Sequence, residues 1–240
     1  EYFYVNPLAD RGSHRRQRWF ACACCPPNVA RIITSLPGYM YSISPEGIWV
    51  HLYANNTGVF DINGSKVKIE EKTNYPWDGL IELKINTNSQ LTINFRKPVD
   101  KGYISINRKW QSGDRVTLNL YMKPEILESH PNIKDNIGRL AIRRGPIIYC
   151  IENEDNSWGD VWNLEITKDV KLNDEYKEVL GGIVTITGKG YLNNSESWKE
   201  LYLLKEDADS LKKEVTFTSI PYYSWANRTP GPMEVWCRTK

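Results

Sequence analysis

From Tyr41 onward the chain alternates apolar and polar residues in short runs. Ile48-Trp49-Val50-His51-Leu52-Tyr53 opens the series. Val67 and Ile69 then alternate with Lys and Glu, and Ile81, Leu83 and Ile85 with Glu82 and Lys84. Leu91, Ile93 and Phe95 alternate with Thr92 and Asn94. Ile104 and Ile106 follow, then Val116, Leu118 and Leu120. A period of two with one polar face predicts antiparallel strands with one face buried. Asn63-Gly64, Asp78-Gly79 and Ser112-Gly113-Asp114 separate the runs as turns. A polar stretch from Glu128 to Gly138 reads as a connection, and strands resume at Leu140-Ala141-Ile142 and Pro146 to Ile151. Further strands are expected at 161–166, 183–187, 201–204, 214–220 and 234–238. The pattern predicts a mainly β chain of two antiparallel β-sandwich units, 43–125 and 126–240, with the boundary inside 125–150.

The first 42 residues have a different texture. Tyr2 to Leu8 reads as extended, followed by a polar loop with His14, Arg15, Arg16 and Arg18 that reads as a solvated basic surface. Val29, Ile32, Ile33 and Leu36 then recur at helical spacing, predicting a helix over 27–36 that Pro37-Gly38 stops. Pro26 or Pro27 suits its first turn. Immediately before lies Cys22-Ala23-Cys24-Cys25, three of the five cysteines within four residues. Thiols at a helix N-terminus meet a partial positive charge that favours thiolate, which is both a nucleophile and a metal ligand.

Composition narrows the remaining classes. At 240 residues, 40% hydrophobic and 25% charged, the chain can bury a sizeable core. A net charge of +2 gives no ground for a nucleic-acid or anionic-membrane partner. No apolar run approaches a membrane span. An odd, clustered cysteine count argues against a disulfide framework and for a reducing, cytoplasmic setting. The sequence starts mid-pattern without Met, as a piece of a longer protein would.

The cysteine cluster has three readings on spacing alone: metal ligands, a catalytic thiolate, or plain buried or loop thiols. Cys150 and Cys237 fall in strand patterns and read as buried apolar cysteines. His14, His51 and His130 are widely separated, in no triad or ligand spacing. G-x-G-x-x-G, Walker, G-x-S-x-G and H-E-x-x-H motifs are absent. A glycosidase needs paired carboxylates, and sequence alone does not pair the Asp and Glu residues here.

The stretch Trp19-Phe20-Ala21-Cys22-Ala23-Cys24-Cys25-Pro26-Pro27-Asn28-Val29-Ala30-Arg31 closely resembles a motif of the β-L-arabinofuranosidases of glycoside hydrolase family 127. Further segments in matching order resemble the same family. They are Phe3-Tyr4-Val5-Asn6-Pro7-Leu8, Thr73-Asn74-Tyr75-Pro76-Trp77-Asp78-Gly79, Arg108-Lys109-Trp110-Gln111-Ser112-Gly113-Asp114 and Arg144-Gly145-Pro146-Ile147-Ile148-Tyr149-Cys150. Ile220-Pro221-Tyr222-Tyr223-Ser224-Trp225-Ala226-Asn227-Arg228 and Met233-Glu234-Val235-Trp236 resemble the family's closing segment.

The resemblance implies a zinc-dependent retaining exo-glycosidase with an (α/α)6-barrel catalytic domain followed by β-sandwiches. By motif, Cys24 is the expected nucleophile and a zinc ligand, Cys25 a zinc ligand and Tyr4 a residue near the substrate; Cys22 receives no role. The family's general-acid Glu and its remaining zinc ligands, a Glu and a Cys, lie upstream of this sequence. Residues 1–42 are therefore expected to be a barrel remnant, and the chain alone is expected to be inactive. After Phe95-Arg96-Lys97-Pro98 the chain runs almost directly into Gly102-Tyr103, where the family continues through a further Trp and an Asn-Gly turn. The expected partner is an oligosaccharide or glycoside, with room for a homo-oligomer. The rival readings are a noncatalytic β-sandwich module that binds carbohydrate or scaffolds, and a zinc-binding interaction module.

Overall fold

In the alternating runs the inward positions are the apolar ones. Ile81, Leu83 and Ile85 are at most 1% exposed while Glu82 points out. The structure, a computed structural model, describes residues 2–21, 24–98, 102–193 and 195–240. Strand accounts for 46% of the chain and helix for 15%, so the architecture is mainly β. The chain divides into two units: residues 1–20 with 123–240, and residues 21–122.

The contiguous unit, 21–122, begins with helices α1 (Cys25–Ser35) and α2 (Pro37–Met40). α1 ends before Pro37, as expected, and Pro37 itself opens the second short helix, because proline is tolerated in a first turn. With β1 reserved for Ala9–Arg11, eight strands follow: β2 (Tyr41–Ser44), β3 (Gly47–Val50), β4 (Asn56–Ile62), β5 (Ser65–Thr73), β6 (Leu80–Asn86), β7 (Gln90–Arg96), β8 (Tyr103–Lys109) and β9 (Asp114–Asn119). They form two four-stranded sheets, β2-β3-β7-β8 and β4-β5-β6-β9. Ile48, Val50 and Phe95 from the first sheet and Val67, Ile69 and Ile85 from the second join one buried cluster. Each fully buried side chain of this kind is worth about 1.5–3 kcal/mol.

Asn63 and Gly64, with φ of 53° and 77°, form the two-residue link between β4 and β5 that suits a hairpin's twist. Gly79 is fixed by close approach: a Cβ there would lie 2.0 Å from the Leu120 carbonyl oxygen, while Leu120 N–H donates to Gly79 O at 2.9 Å. β3 and β7 pair in parallel. The alternation suggested antiparallel pairing throughout, but a two-residue period carries no information about strand direction.

The other unit holds β1, β10 (Pro124–Glu128), β11 (Arg139–Arg144), β12 (Ile147–Glu152), β13 (Leu164–Ile166), β14 (Asn173–Lys177), β15 (Ile183–Leu192), β16 (Lys213–Pro221), β17 (Pro232–Glu234) and β18 (Cys237–Thr239). A six-residue helix, α3 (Lys205–Ser210), precedes β16. All ten strands belong to one sheet. The pairings β11-β12-β16-β15-β13-β18-β11 close into a ring around a core that includes Leu140, Tyr149, Leu164, Ile186 and Phe217. The strand expected at 201–204 is absent. That segment is irregular, with Leu201, Tyr202 and Leu204 78–88% exposed. Its apolar run is too short to tell a strand from a loop.

The N-terminal segment is built into this same unit. β1 pairs antiparallel with β17, Ala9 opposite Glu234. Phe3 stacks on Trp225 at 4.5 Å between ring centroids, and Tyr222 OH donates to Pro7 O at 2.8 Å. Arg16, expected in a solvated basic loop, donates instead from Nε to Trp225 O and from Nη2 to Tyr223 O, both at 2.7 Å. The correction has a physical cause. These carbonyls belong to a stretch between strands, where backbone acceptors lack ladder partners and a guanidinium fork can satisfy two.

One buried ion cluster ties the closing segment to the ring. Glu152 is 0% exposed and accepts from Ala226 N–H at 3.1 Å and from Arg228 Nη2 at 2.8 Å. Arg228 also engages both oxygens of Asp155, at 2.7 and 2.5 Å. Removing the guanidinium strands a buried carboxylate, so Arg228→Met should destabilise the fold by about 3–5 kcal/mol in urea unfolding. Adding Glu152→Gln should recover part of that loss.

Candidate functional site

The cysteine stretch sits at the start of α1. Cys24 is the N-cap residue, with φ −79° and ψ −43°, and Cys25 is the first helical residue. No side chain caps this end, and no acidic residue lies in the first turn. Pro26 and Pro27 contribute no N–H, which leaves few orphan donors there. Cys24 is exposed and Cys25 half-buried. Their Sγ atoms lie 3.4 Å apart, in contact but unbonded. Cys22 lies outside the described residues.

Two thiolates on one tetrahedral zinc, with Zn–S of about 2.3 Å, stand about 3.8 Å apart. The observed separation is close to that, so the pair fits as two of four donors. Among the described residues, no group of three His, Cys, Asp or Glu side chains is placed to hold a metal.

Tyr4 belongs to the other unit. It is half exposed, and its ring lies 5.6 Å from that of Phe20. Cys150 and Cys237 are buried, as their strand positions predicted, and burial pushes both thiols up from the ordinary range. His51 bridges Tyr103 OH at 2.6 Å and Ser42 Oγ at 2.8 Å; His14 pairs with Asp10 at 2.5 Å.

α1 presents an unusual face. Val29, Ile32, Ile33 and Leu36, the stripe that predicted the helix, are 43–64% exposed, and within α1 only Pro26 is buried.

Sequence reasoning missed the buried carboxyls. Glu71 is 2% exposed and borders a cleft in the contiguous unit shared with Asn55, Thr73, Asn74 and Asp78. It accepts from Ala54 N–H at 2.9 Å, Asn56 Nδ2 at 3.2 Å and Tyr41 OH at 3.3 Å. Burial nevertheless wins over these bonds and pushes its pKa up to about 7. The signal was present: Glu71 occupies the inward position after Val67 and Ile69.

In the ring unit, Glu234 lines a cavity of about 200 Å³ together with Arg139, Asp135, Asn136, Trp162 and Trp236. Arg139 Nη1 donates to Glu234 Oε1 and, at 2.8 Å, to Trp236 O.

Comparison with known proteins places these features. Residues 1–38 match the Beta-L-arabinofuranosidase, GH127 catalytic domain, residues 47–101 the GH127 middle domain, and residues 124–238 the Glycoside hydrolase family 127 C-terminal domain. A non-reducing end beta-L-arabinofuranosidase of Bifidobacterium longum subsp. longum is 29% identical over 99% of this chain and 42% of its own length. The crystal structure of a GH127 beta-L-arabinofuranosidase from Geobacillus stearothermophilus T6 superposes with a TM-score of 0.89 at 35% identity, over 100% of this chain and 42% of that one. A GH127 beta-arabinofuranosidase structure gives 0.88 at 34% identity, with the same coverage. The chain thus spans 42% of the length of these relatives. Among the described residues, no helix is long and apolar enough to cross a membrane.

Two outcomes are expected. Iodoacetamide should label Cys24 in the folded protein while Cys150 and Cys237 react only on unfolding, as read by peptide mass mapping. For Glu71, a native pKa raised from 4.5 to about 7 favours the protonated native state. Its stabilising contribution is complete below pH 4.5 and disappears as pH rises through 7, a change of about 3 kcal/mol. Glu71→Gln should remove that share of the pH dependence in denaturant titrations at pH 4.5 and 8.

Proposed function

Because the chain belongs to glycoside hydrolase family 127, we propose that it is the C-terminal part of a zinc-dependent retaining glycosidase acting on β-L-arabinofuranosides, with Cys24 as nucleophile. The observation that carries this reading is the pair of contacting thiols at the start of α1, within the segment matching the family's catalytic domain. The exposed apolar stripe of α1 supports the same reading. A contiguous apolar helix face marks a packing surface, and an (α/α)6 barrel continuing upstream would cover it. Residues 1–42 are then the barrel remnant, and the two sheet systems that follow are the sandwich domains.

Bound zinc would supply charge that keeps the coordinating thiols deprotonated. Cys24 and Cys25 would hold it, with the remaining donors from the upstream part. The exposed Cys24 sulfur attacks the anomeric carbon. A C–S bond forms, the glycosidic C–O bond breaks, and the leaving oxygen takes its proton from a carboxylic acid outside this chain. Water then gives its proton to that carboxylate and displaces the thiolate, and the two displacements together retain the anomeric configuration. Tyr4 borders the sugar. The chain alone lacks the acid and is inactive.

A protein joining the upstream domain to this chain should hydrolyse an aryl β-L-arabinofuranoside. Cys24→Ala should lower kcat by at least about 10³-fold; unchanged turnover would reject the nucleophile assignment. A second reading, a noncatalytic carbohydrate-binding or scaffold module, is favoured by the tryptophan-lined cavity of the ring unit.

A further inference from the structure

Cys24 and Cys25 are neighbours in sequence, and their sulfurs are already in contact at 3.4 Å. Cys24 is exposed and Cys25 half-buried, so a small oxidant in water reaches the pair. Cys150 and Cys237 are at most 2% exposed and lie out of its reach. We propose that Cys24 and Cys25 form a site of reversible oxidation, which a peroxide closes to a disulfide between adjacent residues. The proposal needs only the two thiols and not zinc. In the enzyme proposed above, the same bond would withdraw the nucleophile and two zinc donors at once, and reduction would restore them.

With hydrogen peroxide as oxidant the step balances. The Cys24 sulfur attacks one peroxide oxygen. An S–O bond forms, the O–O bond breaks, and the released hydroxide leaves as water with the thiol proton. The Cys25 sulfur then attacks the Cys24 sulfur. The S–S bond forms, the S–O bond breaks, and a second water leaves with the Cys25 proton. The two thiols together lose the two electrons that the peroxide gains. Consecutive Cα atoms are about 3.8 Å apart, below the usual disulfide range of roughly 4.4–6.8 Å, so the first turn of α1 has to open. The local backbone keeps that cost low. Pro26 and Pro27 have no N–H to lose, no side chain caps this end, and the Asn28 N–H bond to Cys24 O is long at 3.3 Å. Cys24 also holds helical φ and ψ, where an N-cap residue is ordinarily extended. Rotating it out of the helix returns it to the common cap conformation. The remaining strain makes the bond easy to reduce, a property of labile rather than structural disulfides.

Treating the full 240-residue chain with hydrogen peroxide and mapping its peptides by mass tests it. The expected product is an intramolecular Cys24–Cys25 bond that blocks iodoacetamide at both residues and that glutathione reopens. Cys22→Ser should oxidise as the parent does. Adding Cys25→Ser to that variant should stop the reaction at a Cys24 sulfenic acid, which dimedone traps. The readout is a bond and not turnover, so its failure is distinct from failure of the nucleophile assignment. A bond from Cys22 to either residue, disulfide-linked dimers, sulfinic acid at Cys24 without a disulfide, or a product that glutathione leaves closed would overturn the proposal.

Discussion

The stack of Phe3 on Trp225 joins two ends of the chain, and the ring unit depends on that junction. Around it Arg16 satisfies two backbone carbonyls, Tyr222 reaches the Pro7 carbonyl, and β1 covers the edge of β17. An uncovered strand edge is a template for unwanted pairing. Residues 2–20 supply the cover, and in doing so they form one wall of the Glu234 cavity through Leu8 and Ala9. The first twenty residues of the segment matched to the family's catalytic domain thus share one structural unit with the segment matched to its C-terminal domain.

Much of the sheet structure was legible from the sequence because burial there is local. The inward residues of β5, β6 and β7 follow directly from a two-residue period. The hairpin at Asn63-Gly64 was equally clear, since positive φ selects those residues. Pairing between distant strands was not legible. Nothing in the composition of Ala9–Arg11 announces Met233 as a partner, and the closure of the ring through β18 and β11 joins segments with no shared local signal. The helix stripe misleads in the opposite sense. Val29, Ile32 and Ile33 announce a packed face, yet they are 43–64% exposed.

The candidate chemistry divides in the same way. Contacting thiols at Cys24 and Cys25 could be expected from adjacency in the sequence. The buried carboxyls are harder to read: Glu71 occupies the inward phase of its run, but the partners that hold an acidic residue there come from other elements. Glu71, Glu152 and Glu234 meet burial with three different solutions: a set of neutral donors, a guanidinium fork, and a half-satisfied pair beside a cavity.

The interrupted order of the two units bears on how the chain emerges from the ribosome. Residues 21–122 are contiguous and can complete their sheets as soon as they are made. The segment before them must wait for β17, whose residues follow more than two hundred positions later. At about 5–20 residues per second the delay is roughly 10–40 s. Throughout that interval Phe3 is without Trp225 and Arg16 is without the Tyr223 and Trp225 carbonyls that they finally meet, and an already folded body lies between them and their destination in the growing polypeptide.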